Sequence, residues 1–158
     1  MWCHGSGGIG LFFLNLWKST ADQQWLDAAE SAGRTVLETG RWLGPTQCHG
    51  LSGSIEFLLD LYQATRVNSW LRGAQVIGDT LFASIGPDPT SIEKLGPGYM
   101  VGTPGIAAAV TRLNAPDILH RFILAPPTGE ILRVDHGNSV PVFSSRIAAS
   151  SDAGLTRI

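Results

Sequence analysis

The sequence predicts an all-α protein of repeated helix pairs, in which an inner and an outer layer of helices form a curved α/α solenoid or toroid. Three observations predict this fold. Aligning Gly5, Gly50 and Gly102 brings the segments that follow them into register, which indicates an internal repeat. Apolar residues then recur at helical spacing in each unit. No convincing strand pattern occurs before residue 130.

Each repeat begins with a glycine turn, and apolar residues follow that turn at matching distances. They are Phe12, Phe13 and Leu16 in the first unit, Phe57, Leu58 and Leu61 in the second, and Ala109, Val110 and Leu113 in the third. The bulky residues of the first two units are expected to belong to the core and not to a cofactor site. Helices that directly follow a turn suit an inner layer, whereas the more charged helices between them suit an outer layer.

Six helices are predicted, with glycine, proline and capping residues marking their ends. Thr20 or Asp22 is expected to cap the second helix and Asn68 the fourth, which Gly86-Pro87 ends. The helices are expected over residues 8–18, about 22–39, 53–65, about 68–85, 105–113 and 117–123. They form a helical portion, 1–127, with three helix-pair repeats. Polar residues interrupt every period in the tail, 128–158, which is therefore expected to be irregular or disordered.

Composition narrows the classes of function. The chain has 158 residues, of which 44% are hydrophobic and 15% charged, and this balance is typical of a globular domain. A net charge of −2 gives no basic surface for nucleic acid. No apolar run reaches the roughly 18 residues of a membrane span, and no secretion signal is evident, so a cytoplasmic location is expected. The first repeat starts at residue 2 without a capping helix, as in the C-terminal part of a longer protein.

A cysteine-histidine pair stands directly before the aligned glycine in each of the first two repeats. Cys3, Cys48 and His49 are residue types that zinc(II) prefers, and catalytic zinc sites use three such ligands with one position left open. Equivalent turns of a curved array gather at one end, so both thiols are expected to face one cavity. We therefore predict a zinc site with these three residues as its ligands.

Three further residues are expected to line the same pocket. His4 is predicted to line it without binding the metal, because a fourth protein ligand would close the site and make it structural. Gly50 and Gly53 would let the backbone approach closely there. Two alternatives stay open for the cysteines. They would be buried structural thiols or, less consistent with a cytoplasmic location, a disulfide.

The stretches Trp2-Cys3-His4-Gly5 and Cys48-His49-Gly50 resemble the lanthionine synthetase C-like (LanC-like) family of cyclases. Residues 98–106 look like that family's last inner-helix turn, and the similarity extends from residue 2 to about 124. The chain is most like the cyclase domains of class IV or III, or class II, lanthipeptide synthetases. The resemblance implies an α/α toroid around zinc, of which this chain would be a part, with Cys3, Cys48 and His49 as ligands.

The resemblance also implies a reaction and its partners. A zinc-activated cysteine thiolate would add to dehydroalanine or dehydrobutyrine in a dehydrated precursor peptide and form thioether rings. The family's catalytic Asp and His precede the Trp-Cys-x-Gly motif and have no counterpart here. No catalytic residue is therefore assigned, and a missing N-terminal portion of the synthetase is a second expected partner. Two alternatives stay open: a non-catalytic remnant that binds zinc or peptide, and the addition of glutathione to dehydroamino acids.

Overall fold

The computed structural model of the chain describes residues 2–39, 44–88, 90 and 94–117. These ranges contain five helices and no strand: α1 (Ser6–Thr20), α2 (Gln23–Thr39), α3 (Leu51–Thr65), α4 (Asn68–Ile85) and α5 (Thr103–Asn114). None of these helices is long and apolar enough to cross a membrane. The all-α prediction is confirmed. The predicted sixth helix, apart from Asp117, and the tail 128–158 lie outside the described residues.

The helices pack in the two layers that the sequence predicts. α1 packs chiefly on α2, and α3 packs chiefly on α4. The inner helices also contact one another, with α3 between α1 and α5. As a result α3 is the central element, and every residue from Leu51 to Leu61 is buried. The polar outer helix α2 buries only three of its residues, Ala29, Gly33 and Val36, against this layer.

The inner helices interlock through a phenylalanine and a glycine. The Phe57 side chain of α3 is 1% exposed and lies against Gly10 of α1, where an added Cβ atom would be 2.1 Å from the ring. The residue that matches Phe57 in the first repeat behaves differently, because Phe12 is 60% exposed. The expectation that Phe12 belongs to the core is therefore wrong, since no described helix covers that flank of α1. Phe13 and Leu16 are half-buried, and Leu58 and Leu61 are buried.

The three inner helices begin two residues earlier than predicted. Gly5, Gly50 and Gly102 are their N-caps, each in an extended conformation, so the helix starts immediately after the glycine. Asp22 accepts a hydrogen bond from the Gln24 backbone N–H at 3.1 Å, which confirms it as the cap of α2.

The prediction that Asn68 caps α4 is wrong. Asn68 is the first residue of α4, and the N-cap is Val67, which has no side-chain acceptor to offer. The predicted end of this helix is confirmed, because Gly86 is its C-cap at φ 70°.

A buried charge cluster joins α3 to α5, and the sequence pattern gave no sign of it. The Arg112 guanidinium pairs with the Glu56 carboxylate and, at 2.8 Å, with the Asp60 carboxylate. All three side chains are at most 4% exposed. Burial, partly opposed by Arg112, raises the pKa of Asp60 to about 7.

Candidate metal centre

Backbone hydrogen bonds hold the three glycine turns side by side at one end of the inner helices. The carbonyl of Cys48 accepts from the N–H groups of Trp2 (3.0 Å) and Cys3 (3.4 Å). The N–H group of Cys48 donates in turn to the carbonyl of Met100 at 2.7 Å. Cys3, Cys48 and Met100 each lie two residues before an aligned glycine. The internal repeat therefore becomes a row of adjacent turns with Cys48 in the middle.

The last glycine of each Gly-x-x-Gly step is required by close packing on the preceding turn. A Cβ atom at Gly8 would be 1.8 Å from the Trp2 carbonyl oxygen, and one at Gly53 would be 2.1 Å from the Gln47 carbonyl oxygen. A Cβ atom at Gly50 would likewise be 2.1 Å from the Gly44 carbonyl oxygen. Gly50 and Gly53 are both buried. Here they allow close backbone approach within the turn, and their role in lining a pocket stays a prediction.

Donor atoms of both cysteine-histidine pairs converge at this end of the protein. The side chains of Cys3, His4 and His49 each offer one donor atom, and these three atoms lie within 4.8 Å of one another. Cys3 Sγ is 2.7 Å from His4 Nδ1, and Cys48 Sγ is 3.9 Å from His49 Nε2. The two imidazole rings are 5.4 Å apart. No other group of three such donors is found among the described residues.

Cys48 lies deeper than the other three donors and touches Cys3. Both cysteines are free thiols, Cys3 being exposed and Cys48 partly buried. Burial raises the pKa of Cys48, and so do a hydrogen bond to the Cys3 side chain and the negative charge of the Cys3 thiolate. Two adjacent thiols disfavour each other's ionisation, whereas a dication between them favours the thiolate form of both. Both cysteines are free, so the disulfide alternative does not describe this structure.

The donor set fits a zinc ion. With bond lengths of about 2.0 Å to nitrogen and 2.3 Å to sulfur, donors around tetrahedral zinc are about 3.3–3.8 Å apart. The separations of 2.7 Å and of up to 4.8 Å found here bracket that range, so small side-chain rotations would suffice. Thiolate and imidazole also bind zinc in preference to harder cations such as magnesium and calcium. The structure thus brings the predicted ligands Cys3 and His49 together, places Cys48 beside Cys3, and adds His4 to the cluster.

A shallow cavity of about 250 Å³ opens beside these donors. It is lined by Trp2, Cys3, His4, Gly8, Ile9 and Phe12. The side chains of Ile9 and Phe12 are more than half exposed, at 55% and 60%. One wall is therefore apolar and the other carries sulfur and imidazole.

The fold and the donor cluster define a class of protein: an α/α repeat protein with a cluster of thiol and imidazole donors at the turns that begin its inner helices. Comparison with protein families identifies it further. The family model for "Lanthionine synthetase C-like protein" matches residues 1–124. The chain belongs to this family, whose fold is an α/α toroid. No individual curated protein matches the chain.

Sequence reasoning missed one contributor to the centre, the third repeat. Met100 occupies the position of Cys3 and Cys48, and its carbonyl fixes the Cys48 backbone. The repeat alignment contained this signal, because Met100 lies two residues before Gly102. Side-chain chemistry does not identify Met100, because this residue contributes only its backbone carbonyl.

Proposed function

We propose that this protein carries the zinc centre of a lanthionine cyclase, with Cys3, Cys48 and His49 as its zinc ligands. In the proposed reaction the sulfur of a peptide cysteine bonds to the β-carbon of dehydroalanine or dehydrobutyrine, and the α-carbon takes up a proton. The product is a thioether ring. Family membership supports the reaction type, and the observation that carries the proposal is that Cys3 and His49 offer donor atoms within 4.8 Å of each other, with Cys48 beside Cys3.

The ligand chemistry suits this reaction. Zinc at this centre would keep a substrate thiol ionised, and so nucleophilic, at neutral pH. Cys3 and Cys48 would contribute two thiolates, whose negative charge keeps an incoming sulfur electron-rich. The N–H group and the carbonyl of Cys48 are both hydrogen-bonded to neighbouring turns. These bonds fix the backbone of one proposed ligand before substrate arrives. No residue of the chain is assigned to the transfer of the proton to the α-carbon.

The cavity beside the centre supports a peptide substrate. Ile9 and Phe12 form an exposed apolar wall next to Cys3 and His4. Burying apolar side chains of a peptide there contributes about 25 cal/mol per Å² of area removed from water. A cysteine flanked by apolar residues in a dehydrated precursor peptide is therefore the substrate that this surface favours.

Zinc content of the purified full chain tests the metal part of the proposal. We expect about one zinc per chain, lost in Cys3→Ala and in Cys48→Ala, because each substitution removes a thiolate ligand. Met100→Leu is the matched control, since it alters the equivalent position of the third repeat without removing a proposed ligand. Well-folded wild-type protein without zinc, or full zinc content in Cys48→Ala, would contradict the proposed centre.

The reaction part is tested with a synthetic peptide that contains one cysteine and one dehydroalanine. Cyclisation leaves the mass unchanged and removes the free thiol, so alkylation followed by mass spectrometry counts the rings formed. Binding of the peptide without loss of its thiol would support a non-catalytic binding protein instead. The alternative of glutathione addition is tested by supplying glutathione and a cysteine-free dehydrated peptide. If the protein catalyses that addition, the peptide gains the mass of one glutathione.

A further inference from the structure

His4 stands in the same relation to its turn as the proposed zinc ligand His49 does. Each histidine follows a cysteine and directly precedes an aligned glycine, Gly5 or Gly50, that caps an inner helix. The two glycines have similar backbone angles, with φ of −153° and −136° and ψ of −174° and −167°. A backbone that presents His49 towards the centre therefore presents His4 towards it from the neighbouring turn.

The side-chain positions agree with this equivalence. His4 Nδ1 is 2.7 Å from Cys3 Sγ, closer than His49 Nε2 is to Cys48 Sγ at 3.9 Å. His4 also belongs to the group of three donors that lie within 4.8 Å of one another. The two imidazole rings, 5.4 Å apart, are tilted by 56°, so they are not stacked face to face.

We infer that His4 is a fourth protein ligand of the metal and that a substrate thiol enters the centre by displacing it. The inference rests on the proposed zinc function. With His4 bound, zinc would have two thiolate and two imidazole ligands and no open position, in the manner of structural zinc sites. With His4 released, three protein ligands would remain and one position would be open, as in catalytic sites.

The position of His4 explains why this ligand is the one that leaves. His4 and Cys3 line the open cavity beside the centre, and the His4 side chain is exposed. Cys48 is held by hydrogen bonds to both neighbouring turns and is partly buried. A thiol that arrives through the cavity would therefore meet Cys3 and His4 before Cys48, and the exposed His4 imidazole can rotate into solvent without disturbing the core. The resting centre is in this way protected from small thiols that cannot also fill the apolar wall.

Cobalt(II) substitution of the full chain tests the inference without any measurement of activity. Cobalt reports its coordination number through the intensity of its visible absorption, which is high for four-coordinate sites. We expect the wild-type protein to show this strong absorption without added thiol, and we expect His4→Ala to have a different spectrum, because water would replace one imidazole. His4→Ala should bind zinc at least about tenfold more weakly, because removing even an outer-shell partner of a ligand typically costs 10–100-fold.

A thiol titration then separates a ligand from a neighbour. N-acetylcysteine methyl ester, added to the cobalt protein, should bind His4→Ala about tenfold or more tightly than wild type, because no imidazole has to be displaced. Equal zinc affinity, an equal cobalt spectrum and equal thiol affinity in the two proteins would overturn the inference. His49→Ala is the control for the proposed function: it should weaken zinc binding at least as much as His4→Ala does, and if its zinc affinity is unchanged, the proposed three-ligand centre fails independently of His4.

Discussion

The two inner helices that follow the cysteine-histidine turns, α1 and α3, have the same local geometry but different surroundings. Each follows a glycine N-cap and ends before a non-glycine residue in the left-handed conformation, Ala21 at φ 56° and Arg66 at φ 57°. Yet α3 buries every residue from Leu51 to Leu61, whereas α1 buries only Gly7, Gly10, Leu11 and Leu14. The repeat thus determines the shape of each unit, and the neighbours of the unit determine what each position contributes to stability.

Charge follows the same division. Asn15, Asp60 and Arg112 all lie ten residues after the aligned glycine of their repeat. Between α3 and α5 this position forms the buried ion pair of Asp60 with Arg112. In α1 the same position is a neutral asparagine, whose side-chain amide donates to the Leu11 carbonyl of its own helix at 2.9 Å. This position is therefore charged in α3 and α5, where the facing helix supplies the opposite charge.

The largest difference between the two helices is expected at their equivalent phenylalanines. Phe57→Ala should lower the free energy of unfolding by about 3–5 kcal/mol, because it leaves a cavity in the core beside Gly10. Phe12→Ala, at a side chain that is 60% exposed, should cost less than about 1 kcal/mol. Urea denaturation of both variants measures the two values. Similar losses would show that Phe12 is covered in solution and that the contrast between α1 and α3 does not hold.

The second largest effect is expected at the glycines that pack on the preceding turn. Gly53→Ala should cost about 2–4 kcal/mol, because the new methyl group would meet the carbonyl of Gln47, a residue that is fully buried. Gly8→Ala meets the carbonyl of Trp2, which is only half-buried and has more room to move, so its cost should be smaller.

Thermal unfolding of both glycine variants checks this order. Gly44→Ala is the control, since no atom lies within 4 Å of its added methyl group, and it should change stability by less than about 0.5 kcal/mol. A larger loss at Gly8 than at Gly53 would mean that the first turn is the more rigid of the two.

The third effect is a pH dependence between pH 4 and pH 7 that centres on Asp60 of α3. Burial raises the pKa of Asp60 to about 7, above the roughly 3.9 of an unfolded aspartate, so the folded protein binds this proton more tightly. Its contribution to stability is complete below about pH 4 and is lost as the pH rises towards 7, by at most about 1.4 kcal/mol per pH unit. Glu56, Arg112 and Lys18 are the other charged groups that act on Asp60.

Asp60→Asn removes this titrating group and should flatten the decline in stability between pH 4 and pH 7. Urea denaturation at several pH values, on wild type and variant, compares the two slopes. The pKa of Glu56 is also raised by burial, so part of the slope should remain in the variant. Identical slopes in the two proteins would exclude Asp60 as its source.

The smallest effect is expected at the left-handed residues that end α1 and α3. Ala21→Gly should stabilise the protein by about 0.5–1 kcal/mol, because glycine adopts positive φ without steric cost. Arg66→Gly should gain less, since it also removes the 2.7 Å ion pair with Asp117 and the contact with the Tyr62 ring. Differential scanning calorimetry measures both shifts. A larger gain at Arg66 would show that its surface contacts contribute nothing.

Much of the fold could be predicted from the sequence because its signals are local and are repeated three times. The spacing after Gly5, Gly50 and Gly102 predicts three inner helices, and the more polar segments between them predict the outer ones. The same alignment places Cys3 and Cys48 at equivalent positions. The predicted starts of the inner helices lie two residues after the observed starts, because the first glycine of each turn, not the second, is the N-cap.

The sequence by itself determined the helical repeat, the two layers and the chemical identity of the donors, because each depends on residue type and on spacing along one chain. Only the tertiary structure decided that Phe57 is buried and Phe12 exposed, that Arg112 meets Asp60, and that His4 lies 2.7 Å from Cys3 Sγ. The physical reason is the same in each case. Burial, ion pairing and the convergence of donors depend on which helix lies alongside, and equivalent positions of a repeat have different neighbours.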